Sequence, residues 1–175
     1  MIGQKLTETR RRLCITQQEL SQRVPSSRES IAKYETGDRT FPDDLAGPYC
    51  VGLDDALFIK EVQNYYTSGV YIPYLNGPKI LHEFASLIFL ARRELKEAKT
   101  HLDEIDLTKP VEMMNESEIE HIQKTIYELL DAAASSETLV MDLCERFNFS
   151  YTQIVKQWVT SLEIRQMKKR RYSDE

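Results

Sequence analysis

The apolar residues in the second half of this chain recur at the spacing of helices that pack against other helices. Two runs alternate steps of three and four residues: Leu81, Phe84, Ile88, Ala91, Leu95, Ala98, Leu102 and Ile105, then Ile119, Ile122, Ile126, Leu129, Ala133, Ser136, Val140, Leu143 and Phe147. Such spacing, sustained over several heptads, is typical of long helices in a bundle or coiled coil. The sequence has no useful stretch of strand alternation, so we predict an all-α fold.

These predicted helices can bury their apolar stripes in two ways. In the favoured interpretation the stripes face a second copy of the chain and make a dimer or a tetramer. The oligomerisation residues are then Phe84, Ile88, Leu95, Leu102, Ile122, Ile126, Leu129, Val140 and Leu143, with small seam residues at Ala91, Ala98, Ala133 and Ser136. The alternative is a three-helix bundle within one chain. Its third helix begins near Tyr151 and buries Ile154, Val155, Trp158, Val159 and Leu162.

The first forty residues contain signals for a short helical pair. Thr16 and Glu19 form a capping box, which predicts a helix from Gln17 to Val24. Pro25 breaks that helix, a serine caps the next one, and Gly37 ends it, because glycine readily takes the left-handed conformation. Ile31 is expected to anchor this next helix to the core.

Residues 2–37 resemble the phage-repressor helix-turn-helix family of the XRE, Cro/CI type. The resemblance rests on Thr-Gln-Gln-Glu-Leu-Ser at 16–21 and on Ser-Arg-Glu-Ser-Ile-Ala-Lys-Tyr-Glu-Thr-Gly at 27–37. It extends to residue 66 if two further helices complete the domain. It implies a lambda-repressor-like domain whose second helix of the pair enters the major groove of DNA. The fold expected for the whole chain is therefore this domain followed by a long-helix bundle or coiled-coil-like module.

The same resemblance implies the residues that contact DNA. Gln17 is expected to bind a phosphate, and residues at the start of the second helix of the pair are expected to contact base edges. Arg10 and Arg39 are expected to add backbone contacts. The full predicted set is Arg10, Gln17, Ser27, Arg28, Glu29, Ser30, Lys33 and Arg39. For Glu29 the sequence also allows a capping box with Ser26, and for each polar residue it allows a merely solvated surface.

Two positions depart from the family pattern. Pro25 stands where glycine is usual, and proline cannot take the positive φ that glycine supplies there. We therefore expect a rebuilt turn. Gly47-Pro48 is expected to interrupt the fourth helix, leaving a short helix near residues 42–46 and irregular chain after it. A fifth helix is expected from Asp54 to Tyr66.

Charge is distributed unevenly along the chain. Residues 1–40 carry eight Lys and Arg against five Asp and Glu, whereas residues 41–175 carry fifteen against twenty-three. The overall charge of −5 thus hides a basic N-terminal segment. Local potential governs a DNA-contacting face, so the acidic remainder does not exclude DNA binding. The basic end, Lys168 to Arg171, is expected either to touch flanking DNA or to be a solvated tail.

These observations divide the chain into a helix-turn-helix domain over 1–66, a connection over 67–78 and a helical oligomerisation or regulatory domain over 79–175. The connection contains apolar residues that are expected to pack rather than to form a free tether: Val70, Tyr71, Ile72, Tyr74 and Leu75.

Other classes of function are not expected. The sequence shows no nucleophile–base pair, paired catalytic carboxylates or cofactor fingerprint, so we expect no enzyme and no cofactor. Its cysteines (Cys14, Cys50 and Cys144) and histidines (His82, His101 and His121) lack metal-ligand spacing and are expected to be isolated, with no metal site. No signal peptide or membrane-spanning run is recognisable, so a cytoplasmic location is expected.

The favoured function is a sequence-specific transcriptional regulator that binds double-stranded DNA as an oligomer. We expect a repressor of its own operon or of a mobile element. Beyond assembly, its C-terminal half is expected to bind either a protein such as an antirepressor or a small molecule. The alternative is an antitoxin-type autorepressor whose C-terminal helices bind a protein toxin. A scaffold that no longer binds DNA is the third hypothesis, and the turn at Pro25 is the feature that favours it.

Overall fold

The computed structural model describes residues 1–106 and 108–169. Within them the chain is all-helical and has no strand, which confirms the all-α part of the predicted fold. The helices are α1 (Ile2–Arg12), α2 (Gln17–Ser21), α3 (Arg28–Thr36), α4 (Ala46–Leu53), α5 (Ala56–Thr67), α6 (Phe84–Glu104), α7 (Glu116–Arg146) and α8 (Tyr151–Ile164). Short 3₁₀ helices occupy Asp43–Leu45 and Val111–Met113. Among the described residues no helix is long and apolar enough to cross a membrane.

The chain forms two compact units whose boundaries differ from the predicted ones. Unit 1 comprises Met1–Tyr71 together with the chain from Cys144 onward, and unit 2 comprises Ile72–Leu143. Helix α8 therefore belongs with the N-terminal helices, not with the predicted 79–175 domain. A hydrogen bond helps to explain this grouping, because the Thr152 amide donates to Oδ1 of Asp54 over 2.8 Å. Asp54 is the C-cap residue of α4, so this hydrogen bond connects the start of α8 to the junction between α4 and α5.

Helices α1 to α5 enclose the hydrophobic core of unit 1. Its fully buried members come from five different helices: Leu6, Leu20, Ile31, Tyr49 and Phe58. The aromatic rings of Phe41 and Tyr49 meet edge to face, with centroids 5.0 Å apart. Burial of large side chains from every helix fixes how these elements pack.

Helix α4 corrects the prediction that Gly47-Pro48 interrupts the fourth helix. The helix runs over Ala46–Leu53, so Pro48 lies in its first turn. Proline is tolerated there because the first amides of a helix have no carbonyl partner within the helix. The expected irregular segment after residue 46 is therefore helical. The expected fifth helix is confirmed as α5, which begins after Asp55.

The segment after α5 packs only in part. Val70 is exposed, contrary to expectation, whereas Tyr71, Ile72, Tyr74 and Leu75 are half-buried. In unit 2 the Leu75 amide donates to Oγ1 of the buried Thr138 over 3.0 Å. This bond fixes the segment before α6 onto α7.

Helices α6 and α7 form an antiparallel hairpin in unit 2. Carboxylate oxygens of Glu94 on α6 and of Glu128 and Asp131 on α7 lie within 4.8 Å of one another. Further along α6, the ring of His101 lies 5.3 Å from that of His121 near the start of α7. The residue nearer the C-terminus of α6 thus meets the residue nearer the N-terminus of α7, which shows that the two helices are antiparallel.

The buried stripe of this hairpin is not the stripe of large apolar residues that the heptads predicted. The buried residues are Leu87, Ala91, Glu94 and Ala98 on α6, with Thr125, Ala132, Ala134, Ser135, Thr138 and Met141 on α7. Of the predicted small seam residues, Ala91 and Ala98 are buried, whereas Ala133 is exposed and Ser136 half-buried. The neighbouring large residues, such as Leu95 and Ile126, remain outside this buried stripe.

The nine predicted oligomerisation residues are consequently not buried within one chain. Phe84, Leu95, Leu102, Ile126, Leu129 and Val140 are exposed, and Ile88, Ile122 and Leu143 are half-buried. The alternative of a three-helix bundle that covers these stripes within one chain is therefore wrong. Helix α8 also departs from expectation, because Ile154 and Trp158 are exposed while Val155, Val159 and Leu162 are half-buried. In the basic end, Arg170 and Arg171 lie outside the described residues.

Candidate nucleic-acid interface

Helices α2 and α3 are joined by a short turn whose local structure follows from the sequence. The predicted capping box is confirmed: the Glu19 amide donates to Oγ1 of Thr16, and the Thr16 amide donates to Oε2 of Glu19. In the turn, the Ser26 amide donates to the Val24 carbonyl over 2.8 Å, which closes a three-residue turn around Pro25. No described residue between α2 and α3 has a positive φ. The turn is thus built in a way that proline allows.

Helix α3 is anchored to the core on one side only. Ile31 and Tyr34 are buried, as predicted for Ile31, and Gly37 ends the helix with a φ of 82°. At Gly3 of α1, a Cβ atom would lie only 2.0 Å from the carbonyl oxygen of Tyr34. Glycine is therefore required where α1 crosses the end of α3, and this close crossing fixes the position of α3 on unit 1.

The opposite face of α3 carries free charged side chains. At about 100° per residue, Glu29 points away from Ile31 and Tyr34, with Arg28 and Lys33 to either side of it. All three charged residues are exposed. Within the described part of the chain, none of these side chains forms an ion pair or hydrogen bond. Two cations and one carboxylate are therefore available to an external partner.

The serines at the start of α3 are used in capping. Ser27 is the N-cap, and its Oγ accepts a hydrogen bond from the Ser30 amide over 3.2 Å. The Ser27 hydroxyl also donates to Oγ of Ser30 over 3.1 Å. Glu29 therefore does not form the capping box with Ser26 that the sequence allowed, and its carboxylate remains free.

Arg10 and Gln17 are held together by one buried carboxylate. Nε and Nη2 of Arg10 donate to the two oxygens of Glu35 over 2.6 and 2.8 Å, and Nε2 of Gln17 donates to Oε2 over 2.8 Å. Nη1 of Arg10 donates to the Ile15 carbonyl. Burial raises the pKa of the Glu35 carboxyl, but the hydrogen bonds from Arg10 and Gln17 outweigh it and lower the net pKa.

This cluster corrects the expectation that Arg10 contacts the DNA backbone. The Arg10 side chain is 13% exposed, and its guanidinium is already committed to Glu35 and Ile15. Its role is to connect α1, α3 and the loop before α2. Gln17 stays a candidate because it lies at the first position of α2 and its side-chain amide is oriented by Glu35.

Other cations of the basic segment fall into two groups. Lys5 pairs with Glu61, and Arg12 with Asp55, so both are neutralised within unit 1. Arg39 is exposed and lies over the Tyr34 ring at 5.6 Å. Arg23, which follows α2, is exposed and makes no ion pair with the described residues. Sequence reasoning missed Arg23, although its place between the two motif helices was a usable signal.

The expectation that the histidines are isolated is wrong for two of them. In unit 2, one nitrogen each of His101 and His121 and a carboxylate oxygen of Glu104 lie within 4.8 Å of one another. These residues can hold a metal ion. No metal-ligand spacing is visible along the chain because the two histidines are twenty residues apart and meet only when the hairpin closes.

The chain was also compared with known proteins. No family model, no curated protein and no solved structure matches it.

Proposed function

We propose that this protein is a sequence-specific DNA-binding transcriptional regulator that reads the major groove with the exposed face of α3. The observation that carries the proposal is the contrast between neutralised and free charge in unit 1. Arg10 and Arg12 have acidic partners, whereas Arg28, Glu29 and Lys33 have none among the described residues and lie on a helix that is packed on one side only.

The chemistry of the three free side chains suits base edges. An Arg at the start of a helix in the groove can donate two hydrogen bonds to O6 and N7 of guanine. Glu29 can accept from the amino group of cytosine, and Lys33 can reach a guanine or a phosphate. A nine-residue helix such as α3 fits the groove, which is about 12 Å wide.

Phosphate contacts are assigned to the periphery of this face. Gln17 lies at the N-terminus of α2, where the helix dipole favours an anion, although α2 is too short to make a site alone. Arg23 and Arg39 supply exposed positive charge beside the two helices. Such contacts set the position on the duplex and the salt dependence of binding, whereas base contacts set sequence choice.

Unit 2 is proposed to make the protein an oligomer. Leu95, Leu102 and Ile126 are 54%, 49% and 50% exposed, on helices whose buried stripe consists mainly of small and polar residues. Large apolar residues repeated at heptad spacing are suited to pack against the same residues of a second copy. A dimer places two reading helices on two half-sites and so raises the affinity for DNA.

The oligomer proposal is tested by substitution, since deletion of residues 79–175 would also remove α8 from unit 1. Changing Leu95 and Ile126 together to serine should shift the mass in light scattering from dimer or tetramer to monomer while helicity is kept. Phe89→Ser is the matched control, because Phe89 is 68% exposed on α6 outside the stripe. If the double variant kept the wild-type mass, the copies would not associate through Leu95 and Ile126.

The DNA-binding proposal is tested by footprinting the full-length protein on the DNA upstream of its own gene. A protected inverted repeat, with a dimeric or tetrameric mass in the same buffer, is the expected result. A folded chain that protects no sequence in this DNA, at concentrations where it is an oligomer, would contradict autoregulation by direct DNA binding.

A further inference from the structure

The cluster of His101, Glu104 and His121 lies at one end of the α6–α7 hairpin. His101 and Glu104 belong to the last turn of α6, and His121 lies in the second turn of α7. The three residues are thus on either side of the connection between the two helices, inside unit 2. A ligand bound by all three would join the helices next to that connection.

The distances in this cluster are too long for direct hydrogen bonds. Nε2 of His121 lies 3.9 Å from Oε2 of Glu104, whereas an N–H···O bond is about 2.9 Å long. Two bonds of about 2.1 Å to one ion give a nitrogen–oxygen separation of about 3.4 Å in a tetrahedral site. Side-chain rotation of Glu104, which is exposed, can supply the remaining adjustment.

Two of the imidazole nitrogens are buried without a partner. Nδ1 of His101 and Nε2 of His121 are shielded from solvent, and neither has a hydrogen-bond partner among the described residues. Leaving such groups unsatisfied is costly, and buried polar atoms usually have a partner. The unpaired nitrogens are a second observation, independent of the residue types, that favours a bound ligand here.

A further carboxylate adjoins the cluster. Oε1 of Glu128 lies 3.8 Å from Nε2 of His101. Histidines that bind metals commonly donate their second N–H to a carboxylate, which orients the ring. Glu128 is placed to take this positioning role for His101.

We propose that His101, His121 and Glu104 form a binding site for a divalent transition-metal ion, with Zn²⁺ as the best fit. Two imidazoles and one carboxylate are a recurrent zinc ligand set, and they leave the fourth position open to water or to an external ligand. Hard cations such as Mg²⁺ and Ca²⁺ prefer sites built from oxygen ligands and are disfavoured by two imidazoles. The site does not depend on DNA binding, so the two proposals can fail separately.

The test is metal binding by the full-length protein after removal of adventitious ions. Titration with ZnCl₂, with bound metal counted after dialysis, should give one ion per chain. His101→Gln and His121→Gln should each weaken binding at least tenfold, and Glu104→Gln, which changes an exposed residue, should also weaken it. His82→Gln is the matched control, since His82 is the remaining histidine of the chain, and it should leave binding unchanged.

Co²⁺ in place of Zn²⁺ identifies the ligand type. A site of nitrogen and oxygen ligands should give the visible bands of Co²⁺ without the thiolate charge-transfer absorption that Cys14, Cys50 or Cys144 would produce. Far-ultraviolet circular dichroism should show wild-type helicity for each variant used. The proposal would be overturned by no saturable binding, by unchanged binding in both folded histidine variants, or by a thiolate spectrum that is lost with the cysteines.

Discussion

The two compact units of this protein bury different kinds of residue. Unit 1 buries large apolar side chains from five helices, among them Leu6, Leu20 and Phe58. Unit 2 buries mainly alanine, serine and threonine along the α6–α7 seam, and also Glu94. The large apolar residues of α6 and α7, such as Leu95 and Ile126, remain exposed instead. One unit therefore has a core of its own, and the other has a surface suited to a partner.

This difference predicts that the two units depend differently on assembly for their stability. Burial of large apolar side chains gives about 1.5–3 kcal/mol each, so unit 1 has the means to hold α3 in a fixed position without help. The seam of unit 2 gains less per residue, because its side chains are small. Packing of the exposed stripes against a second copy would add the missing burial, so the stability of unit 2 is expected to depend on assembly.

The largest effect is expected from a matched pair of leucines. Leu20→Ala, in the core of unit 1, should lower the free energy of unfolding by about 2–5 kcal/mol at any protein concentration. Leu95→Ala should cost about 0.5 kcal/mol or less in the dilute chain, as for an ordinary surface change. Its cost should increase with protein concentration if a second copy covers Leu95.

Thermal and denaturant unfolding at several concentrations measure both effects. Equal, concentration-independent losses for the two variants would contradict the distinction between the two units, because Leu95 would then contribute to stability within one chain as Leu20 does.

A smaller effect is expected at the polar cluster behind α3. Arg10→Ala should lower stability by about 1.5–3 kcal/mol, the usual value of hydrogen bonds to a charged group, because Glu35, whose side chain is 6% exposed in the intact pair, loses its main partner. Lys5→Ala removes a more exposed pair with Glu61 and should cost about 1 kcal/mol or less. Similar losses for the two variants would show that the Arg10 cluster is no stronger than a surface pair.

The same cluster predicts a pH dependence. The folded state lowers the pKa of Glu35, so its contribution is fully present above the ordinary carboxyl pKa and is lost as the pH falls through the lower folded value. Arg10→Ala should remove part of this acid-induced loss. Urea unfolding between neutral and acidic pH would show a shallower decrease for the variant, and an unchanged slope would contradict the role assigned to Glu35.

The smallest effect is expected at the cap of α2. Thr16→Ala removes the oxygen that accepts from the Glu19 amide and should cost about 0.5–2 kcal/mol, whereas Thr16→Ser should keep most of the stability. Equal stability of the alanine and serine variants would mean that the cap contributes nothing measurable to unit 1.

Local sequence signals predicted the parts of unit 1 that depend on neighbouring residues. The capping box at Thr16, the helix end at Gly37 and the buried Ile31 are each determined within a few positions of the chain. The extent of α4 was not predicted, because the rule that proline breaks helices does not hold in the first turn. The ion pair between Arg10 and Glu35 was also not predicted, because it joins residues twenty-five positions apart.

Unit 2 shows a different limit of sequence reasoning. Heptad spacing indicates that α6 and α7 carry apolar stripes but does not tell which stripe faces the other helix of the hairpin. The predicted seam combined large residues with small ones, and of these the structure buries Ala91 and Ala98, together with Glu94, while Leu95 and Ile126 stay exposed. The meeting of His101 and His121 depends on the same register, so it could not be derived before the hairpin was known.

The proposed function depends above all on base reading by the exposed face of α3, and Arg28→Ala is the substitution that tests it. Affinity would be measured on the footprinted site and on random DNA, with Arg92→Ala in unit 2 as a control that removes the same charge elsewhere. If Arg28 reads a base, the variant should lose about 1–3 kcal/mol of binding free energy on the specific site and little on random DNA, and Arg92→Ala should change neither. An equal loss on both DNAs, or none on the specific site, would contradict base reading by this face.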